Sequence, residues 1–364
     1  MYINLDLYKE ELETLFKAKL PWEKLDNSKI LITGANGLIC SYLIDLLMYR
    51  NIKFNSNIKV YALGRNEERC RNRFKSFFDR DDFVFVKQDI SKKLSIEDKV
   101  DYIIHGASNA VPAEFLRDPV GTMTGNIFGV YNLLEYSKDN NVKKLLYISS
   151  SEVYGDDLSK DSFNESDSGY VNPLDPRACY PSSKRAAETL CASYLKQYGV
   201  DFCVARPGHI YGPTYTEKDN RALCQFINNV LNNNDIVMKS EGSQVRSYCY
   251  VSDCAMSLIY MLLVGESGEA YNISNKNSNV SIREMADYIA ELSNKKVIFE
   301  LPSNNEKSVF TKINKSILDS SNLEGLGWEA KVLPKDGINR ILNIKKALKK
   351  GVKEDVRKFK RRSF

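Results

Sequence analysis

The sequence predicts an α/β fold: a doubly wound parallel sheet covered on both faces, with a smaller, discontinuous α/β portion over the carboxyl ends of its strands. Three observations carry this. From residue 29 onward, short apolar runs alternate with longer segments of helical period. Strands and helices in that alternation join as right-handed crossovers, and the strands lie parallel. A glycine-bearing turn, Thr33-Gly34-Ala35-Asn36-Gly37, lies between the first strand and the first helix of the series. After Gly208 the rhythm gives way to loops rich in Gly, Pro, Asn and Tyr.

In chain order, Leu12, Leu15, Phe16 and Leu20 recur at helical spacing and predict an amphipathic helix ending near Pro21. Lys29 to Thr33 reads as a buried strand and Leu38 to Arg50 as a helix. A second strand, Ile58 to Leu63, precedes a helix over Glu67 to Phe78. Strands at Phe83 to Val86 and Val100 to His105 lead to a long helix, Thr122 to Ser137. Lys144 to Ser149 is the fifth strand, Ser182 to Tyr198 a helix, and Phe202 to Arg206 the sixth strand. Beyond Gly208, helices are predicted at Arg221 to Asn232 and Ser281 to Leu292. No internal repeat is present.

Composition narrows the class. Charged residues at 27% and hydrophobic residues at 43% describe an ordinary globular chain of 364 residues, long enough for a large core. No apolar run reaches the roughly 20 residues that span a bilayer. The start, with Asp6, Lys9, Glu10, Glu11 and Glu13, lacks the apolar core of a secretory signal, so a cytoplasmic protein is expected. The eight cysteines are scattered with no C-x-x-C pair, and there are only two histidines, so neither a metal site nor a disulfide framework is expected. Net charge is +5, but ten Lys/Arg against Glu354 and Asp355 put +8 on residues 345–364, leaving about −3 on the rest. That balance argues against a body built to grip nucleic acid. The tail reads as a solvated helix end, with contact to an acidic partner or a membrane surface as the alternative.

The glycine turn lets the backbone approach a pyrophosphate and aims the amides of the next helix at its charge. Gly34, Asn36, Gly37, Leu38 and Ile39 are the candidate contacts. The second strand ends Leu63-Gly64-Arg65-Asn66, with no acidic residue for ribose hydroxyls. Arg65 suits the 2′-phosphate of NADP, or stacks on an adenine and leaves NAD acceptable. Further along, Tyr180-Pro-Ser-Ser-Lys184 places a phenol and an ammonium on one helical face. A neighbouring cation favours phenolate, so Tyr180 is expected to act as a general base with a lowered pKa. The preceding strand ends in Ser149-Ser150-Ser151-Glu152-Val153-Tyr154-Gly155.

Together these motifs resemble the extended short-chain dehydrogenase/reductase family, the NAD-dependent epimerases and dehydratases, across roughly residues 28–342. The glycine turn is similar to T-G-x-x-G-x-x-G, with Cys40 at the third glycine position. A slightly wider helix–strand packing is expected there, not lost binding. The likeness continues through Arg206-Pro-Gly-His-Ile-Tyr-Gly-Pro213, Arg246-Ser-Tyr-Cys-Tyr-Val-Ser-Asp253, Ala270-Tyr-Asn-Ile273 and Leu326-Gly-Trp328. Ser-Glu-Val-Tyr-Gly-Asp156, the stretch Asn172 to Tyr180 and the stretch Lys184 to Cys191 are most similar to UDP-glucuronate decarboxylases.

The resemblance implies a Rossmann-type NAD(P)-binding domain over 29–208 and a mainly substrate-binding portion over 209–342, some of whose strands return to the main sheet. Residues 1–28 form a helical extension and 343–364 a basic tail. It implies Asp89 and Ile90 beside the adenine, Ala107 beside the nicotinamide, and Ser150, Tyr180 and Lys184 as the catalytic triad. Glu152 falls at an acid/base position, and Ser108, Ser151, His209 and Arg246 on the substrate side. The shared chemistry is oxidation of a nucleotide sugar at C4, after which a β-keto acid can lose carbon dioxide. Simple 4-epimerisation stays open. A 4,6-dehydratase usually carries Asp-Glu where this chain has Ser151-Glu152, which disfavours dehydration. Arg65 leaves a net NADP-dependent reductase possible, and the intact catalytic set argues against a cofactor-sensing protein without chemistry. A homodimer through the Thr122–Ser137 and Ser182–Tyr198 helices is expected, with no stable membrane insertion.

Overall fold

A computed structural model of the chain describes residues 2–157, 159–216, 219–300 and 315–362. Its first half runs α1 (Asp6–Leu15), β1 (Lys29–Thr33), α2 (Leu38–Phe54), β2 (Lys59–Gly64), α3 (Glu67–Arg73), β3 (Phe83–Lys87) and β4 (Tyr102–His105). Then come α4 (Pro112–Arg117), α5 (Pro119–Asn140), β5 (Lys144–Ile148), α6 (Cys179–Tyr198), β6 (Phe202–Pro207), β7 (His209–Tyr211), α7 (Ala222–Leu231) and β8 (Ile236–Met238). The remainder is β9 (Val245–Tyr250), α8 (Val251–Val264), β10 (Ala270–Ile273), β11 (Asn279–Ser281), α9 (Ile282–Ser293), β12 (Val297–Phe299), β13 (Lys315–Ser316), α10 (Ser321–Gly325) and α11 (Pro334–Arg362).

Seven strands form one parallel sheet in the order β3-β2-β1-β4-β5-β6-β10. The direction of winding reverses between β1 and β4, which opens a crevice at the carboxyl ends of those two strands. Strand residues alternate between two cores, as the two-residue period requires. Ile30, Ile32, Leu146 and Ile148 pack on the side of α2 and α8, with Leu43, Leu47 and Leu258. Leu31, Ile103, Leu145 and Tyr147 pack on the side of α5 and α6, with Leu133, Leu134 and Ala187. Burial on both faces makes these strands continuous apolar runs, which is why they were legible.

Several helices differ from the expected bounds: α1 ends at Leu15, short of Pro21, and α2 runs on to Phe54, four residues past Arg50. α3 stops at Arg73 because Phe74 and Phe77 turn inward onto Phe83, with Phe74 and Phe83 ring centres 5.5 Å apart. α5 starts at Pro119, where the Asp118 carboxylate caps the Gly121 amide at 2.9 Å and proline takes the first helical position. α6 starts at Cys179, so Tyr180 lies in its first turn.

After Gly208 a smaller sheet forms around β9, which pairs with β7, β11 and β13, while β8 pairs with β12. β10 returns to the edge of the main sheet. The N-terminal helix folds onto the body. Glu11 on α1 accepts hydrogen bonds from Tyr42 of α2 (2.6 Å), Tyr250 (3.2 Å) and Arg340 of α11 (3.4 Å). α11 runs unbroken through residue 343. All eight cysteines are free and buried. Among the described residues no group of His, Cys, Asp and Glu could hold a metal ion, and no helix is long and apolar enough to cross a membrane.

Candidate active site

β1 ends at Gly34, whose φ of +69° lies in the left-handed region. A Cβ there would stand 2.6 Å from the Gly106 carbonyl oxygen and 2.8 Å from the Ala107 nitrogen, so the position takes only glycine. Gly106, in the loop after β4, is small for a second reason: a Cβ on it would run into Cys40 Sγ. The missing third glycine is thus accommodated by a glycine on the facing loop. The Ala107 amide donates to Thr33 Oγ1 at 3.2 Å, and that hydroxyl lies 2.6 Å from His105 Nδ1, tying the two loops together. Burial, with the nearby Lys184 charge, lowers the His105 imidazole to about 3, so it is neutral.

Gly37 precedes α2 and offers no side-chain cap, so the first-turn amides of Leu38, Ile39 and Cys40 have no acceptor within the helix. Asn36 Oδ1 is buried with no partner among the described residues. The glycine cradle and the open helix start, together at the winding reversal, fit a dinucleotide pyrophosphate, while the Asn36 oxygen can accept only from a donor such as a ribose hydroxyl. Leu38 carries its carbonyl outward to the Thr214 hydroxyl at 2.8 Å. At the outer end of β2, Arg65 and Asp89 are both exposed and close enough to interact. The Asp89 carboxylate accepts from the Ser91 amide and hydroxyl, both at 2.9 Å, and these bonds with Arg65 hold its pKa below the usual range. Ile90 is buried, and its carbonyl accepts from Asn132 at 2.9 Å.

On the other side of the crevice, Tyr180 stacks on Phe115 of α4, with centroids 5.1 Å apart at 11°. Its phenol is hydrogen-bonded to the Ser150 hydroxyl. Lys184 Nζ sits 5.8 Å from the Tyr180 ring centre and donates to the Ile148 carbonyl at 2.8 Å. The expected phenol–ammonium face is present, but its expected electrostatic consequence needs correction. Burial raises the Tyr180 pKa, and Glu152 adds to the rise; the Ser150 bond and Arg221 only oppose it. Burial also lowers Lys184 to about 7, against which Glu188 and Cys40 act. These side chains by themselves favour neutral phenol, because the lysine is as desolvated as its partner.

Glu152 is half-buried beside this set. Burial raises its carboxyl pKa, and Arg177 opposes the rise. Ser150 Oγ accepts the Glu152 amide at 3.2 Å, and Ser151 opens the short helical turn Ser151–Tyr154. Ser108 donates to Asn126 Oδ1 at 2.8 Å, and Asn126 donates to Ser183 at 2.9 Å, joining the loop after β4 to α5 and α6.

His209 and Arg246 lie on the paired strands β7 and β9. His209 is held down at about 3 by burial and by the charges of Arg246 and Arg221, and its ring meets Tyr248 edge-on at 5.8 Å. Arg246 is buried, with Nη1 donating to the Val245 carbonyl at 2.9 Å. Arg221 was not foreseen. Asp219 (2.7 Å) and the Ile210 carbonyl (3.1 Å) orient it, and its charge reaches both Tyr180 and His209. Phe115 and Arg177, the latter 5.6 Å above the Phe115 ring, were also missed. Phe115 and Arg221 belong to no motif, and Arg177 lies within the Asn172–Tyr180 stretch without a role assigned from sequence; the fold gathers all three.

A sequence model of the NAD dependent epimerase/dehydratase family matches residues 30–274. The chain belongs to this family. UDP-glucuronic acid decarboxylase 5 of Arabidopsis thaliana is 33% identical over 318 residues, covering 86% of this chain and 87% of that one. UDP-glucuronic acid decarboxylase 1 of Danio rerio is 33% identical over 337 residues, covering 91% and 77%. Among solved structures, UDP-glucuronic acid 4-epimerase from Bacillus cereus, in complex with UDP-glucuronic acid and NAD, superposes with a TM-score of 0.73 at 25% identity. The match covers 88% of this chain and 99% of that one. Family membership makes NAD(P) the cofactor and the enzyme class an NAD-dependent nucleotide-sugar epimerase, dehydratase or decarboxylase.

Proposed function

We propose that this enzyme decarboxylates UDP-glucuronate to a UDP-pentose without net redox change. The observation that carries the reading is Glu152, a half-buried carboxyl beside the Ser150–Tyr180 pair, with Arg177 acting on it and Arg221 acting on Tyr180. Relatives one-third identical to this chain over most of its length are named for this activity. Bound NAD supplies a hydride acceptor at C4 and returns the hydride at the end. Tyr180 takes the 4-hydroxyl proton through its bond to Ser150, and Lys184, on the same helical face, supports it when protonated. Once C4 is a ketone, the C5–C6 bond breaks, carbon dioxide leaves, and the electron pair passes into the ring enolate. In this reading Glu152 delivers a proton to C5. Arg221 and Arg246 receive the carboxylate or the diphosphate, which a buried guanidinium binds strongly.

A second reading, 4-epimerisation of the same acid, draws on the Bacillus cereus structure and needs no Glu152. The deciding experiment is incubation with UDP-glucuronate and NAD. Carbon dioxide and a pentose nucleotide are expected; a galacturonate nucleotide supports the epimerase, and no turnover refutes both. Tyr180→Phe should abolish turnover while leaving NAD affinity within about twofold.

The homodimer belongs to the same proposal. Exposed Met123, Phe128 and Tyr131 on α5 lie beside α6, whose exposed Thr189 and Ser193 let a partner approach closely. Eight buried free thiols suit a reducing cytoplasm.

A further inference from the structure

Behind the catalytic groups lies a polar network that the reaction does not use directly. Arg206 on β6 pairs with Glu188 on α6 through two bonds, Nε to Oε1 at 3.2 Å and Nη2 to Oε2 at 2.6 Å. Both side chains are only 14% exposed. The same guanidinium donates to the Tyr154 hydroxyl at 3.1 Å and the Glu165 carbonyl at 2.8 Å. Tyr154 in turn donates to Asn272 Oδ1 of β10 at 2.6 Å, and its ring stacks on Phe163 at 5.1 Å and 17°. A neighbouring tether points the same way: Arg185 Nε donates to the Val153 carbonyl at 2.6 Å.

The geometry has a direction. Glu188 lies one helical turn beyond Lys184, four residues on, and so shares its face of α6. Tyr154 closes the turn that Ser150 opens and that carries Glu152. A chain of bonds therefore runs from the helix bearing Tyr180 and Lys184, through Glu188, Arg206 and Tyr154, to the turn bearing Ser150 and Glu152. It ends on the sheet edge at Asn272, whose Nδ2 donates to the Phe163 and Asp319 carbonyls at 3.0 and 2.9 Å.

We propose that Glu188, Arg206 and Tyr154 are positioning residues, a buried strut that fixes the Ser150–Glu152 turn relative to α6 so that the proton-moving groups form one rigid set. The bidentate pair restrains rotation as well as distance, which a single hydrogen bond would not. Misplacing a reacting group by about 1 Å costs on the order of a hundredfold in rate, so a strut at this place has catalytic weight without touching substrate.

The test uses the full-length enzyme with NAD and two variants, Glu188→Gln and Tyr154→Phe. The second removes one oxygen atom and decides the matter if the first fails to fold. Amide hydrogen exchange is read on peptides covering residues 148–156 and, as a control, 29–54. The strut predicts about tenfold faster exchange in the turn with the control unchanged. Kinetics with UDP-glucuronate rest on the decarboxylase reading; there kcat should fall about ten- to a hundredfold while KM stays within about threefold. If wild-type enzyme does not turn over UDP-glucuronate, that reading fails and exchange alone judges the strut. Wild-type exchange in the turn of both variants overturns it, as does exchange that rises equally in turn and control.

Discussion

The facing pair Cys40 and Gly106 permits a sharp test of how the dinucleotide cradle is packed. Gly106→Ala places a methyl against Cys40 Sγ, with Ile148 Cδ1 at 3.3 Å and the Thr33 carbonyl at 3.4 Å closing the other sides. With backbone on one flank and a buried thiol on the other, relaxation is limited, and overpacking of this kind costs about 1–3 kcal/mol. Cys40→Gly costs a few tenths of a kcal/mol in helix propensity, since cysteine is itself a weak helix former, and about 1 kcal/mol for the lost buried side chain. If the two changes were independent, the double variant would lose about 2–4 kcal/mol. Removing the thiol makes room for the new methyl, so the double variant should lose only about 1–2 kcal/mol, a coupling of about 1–2 kcal/mol. Urea unfolding of the four proteins measures this, and NAD titration of each should show the same recovery. Additivity within about 0.5 kcal/mol would refute the reasoning, because the thiol would then not occupy the space that Gly106 leaves.

Lys184 should titrate near 7 in the cofactor-free protein, charged below that pH and neutral above it, where an ordinary lysine titrates near 10.5. Carbon-13 NMR of the reductively methylated protein measures it, and a set of lysines that all titrate above about 10 contradicts the burial seen here. Arg221→Met should raise KM for UDP-glucuronate at least about tenfold, from loss of a charge-assisted bond, with NAD affinity unchanged in a binding titration. Phe128→Asp should convert a dimer of 41.5 kDa chains to monomer in light scattering with little change in melting temperature, since Phe128 is 51% exposed in the single chain. Two rings lost per symmetric interface at about 2 kcal/mol each weaken association on the order of a thousandfold.

What the sequence disclosed and what it concealed divide by range of interaction. β1 was legible because Ile30, Leu31 and Ile32 are all buried, so the strand is apolar throughout. Tyr180 and Lys184 were legible because a helix brings residues four apart onto one face whatever surrounds it. α8 was concealed because Val251 to Leu263 is buried on every side and shows no polar stripe to reveal a helical period. Arg221 and Phe115 were concealed because α4 and the loop before α7 reach the crevice only through tertiary packing. Cys40 read as a departure from pattern, and its compensation by Gly106 lies on another strand's loop, beyond the reach of any local motif.

The same distinction explains why the charge states differed from expectation. Adjacency on a helix says that Lys184 can influence Tyr180, but the sign of the result depends on how much water both groups lose. Here both the phenol, stacked on Phe115, and the Lys184 amine are buried away from water, so each is driven towards its uncharged form. Glu152, pushed the same way, cannot relieve this; its negative charge would raise the phenol further. Among the described groups, the Ser150 bond and Arg221 are what favour phenolate. A base held protonated in this way needs further positive charge beside it to reach its reactive form, and an oxidised nicotinamide bound in the crevice would supply one.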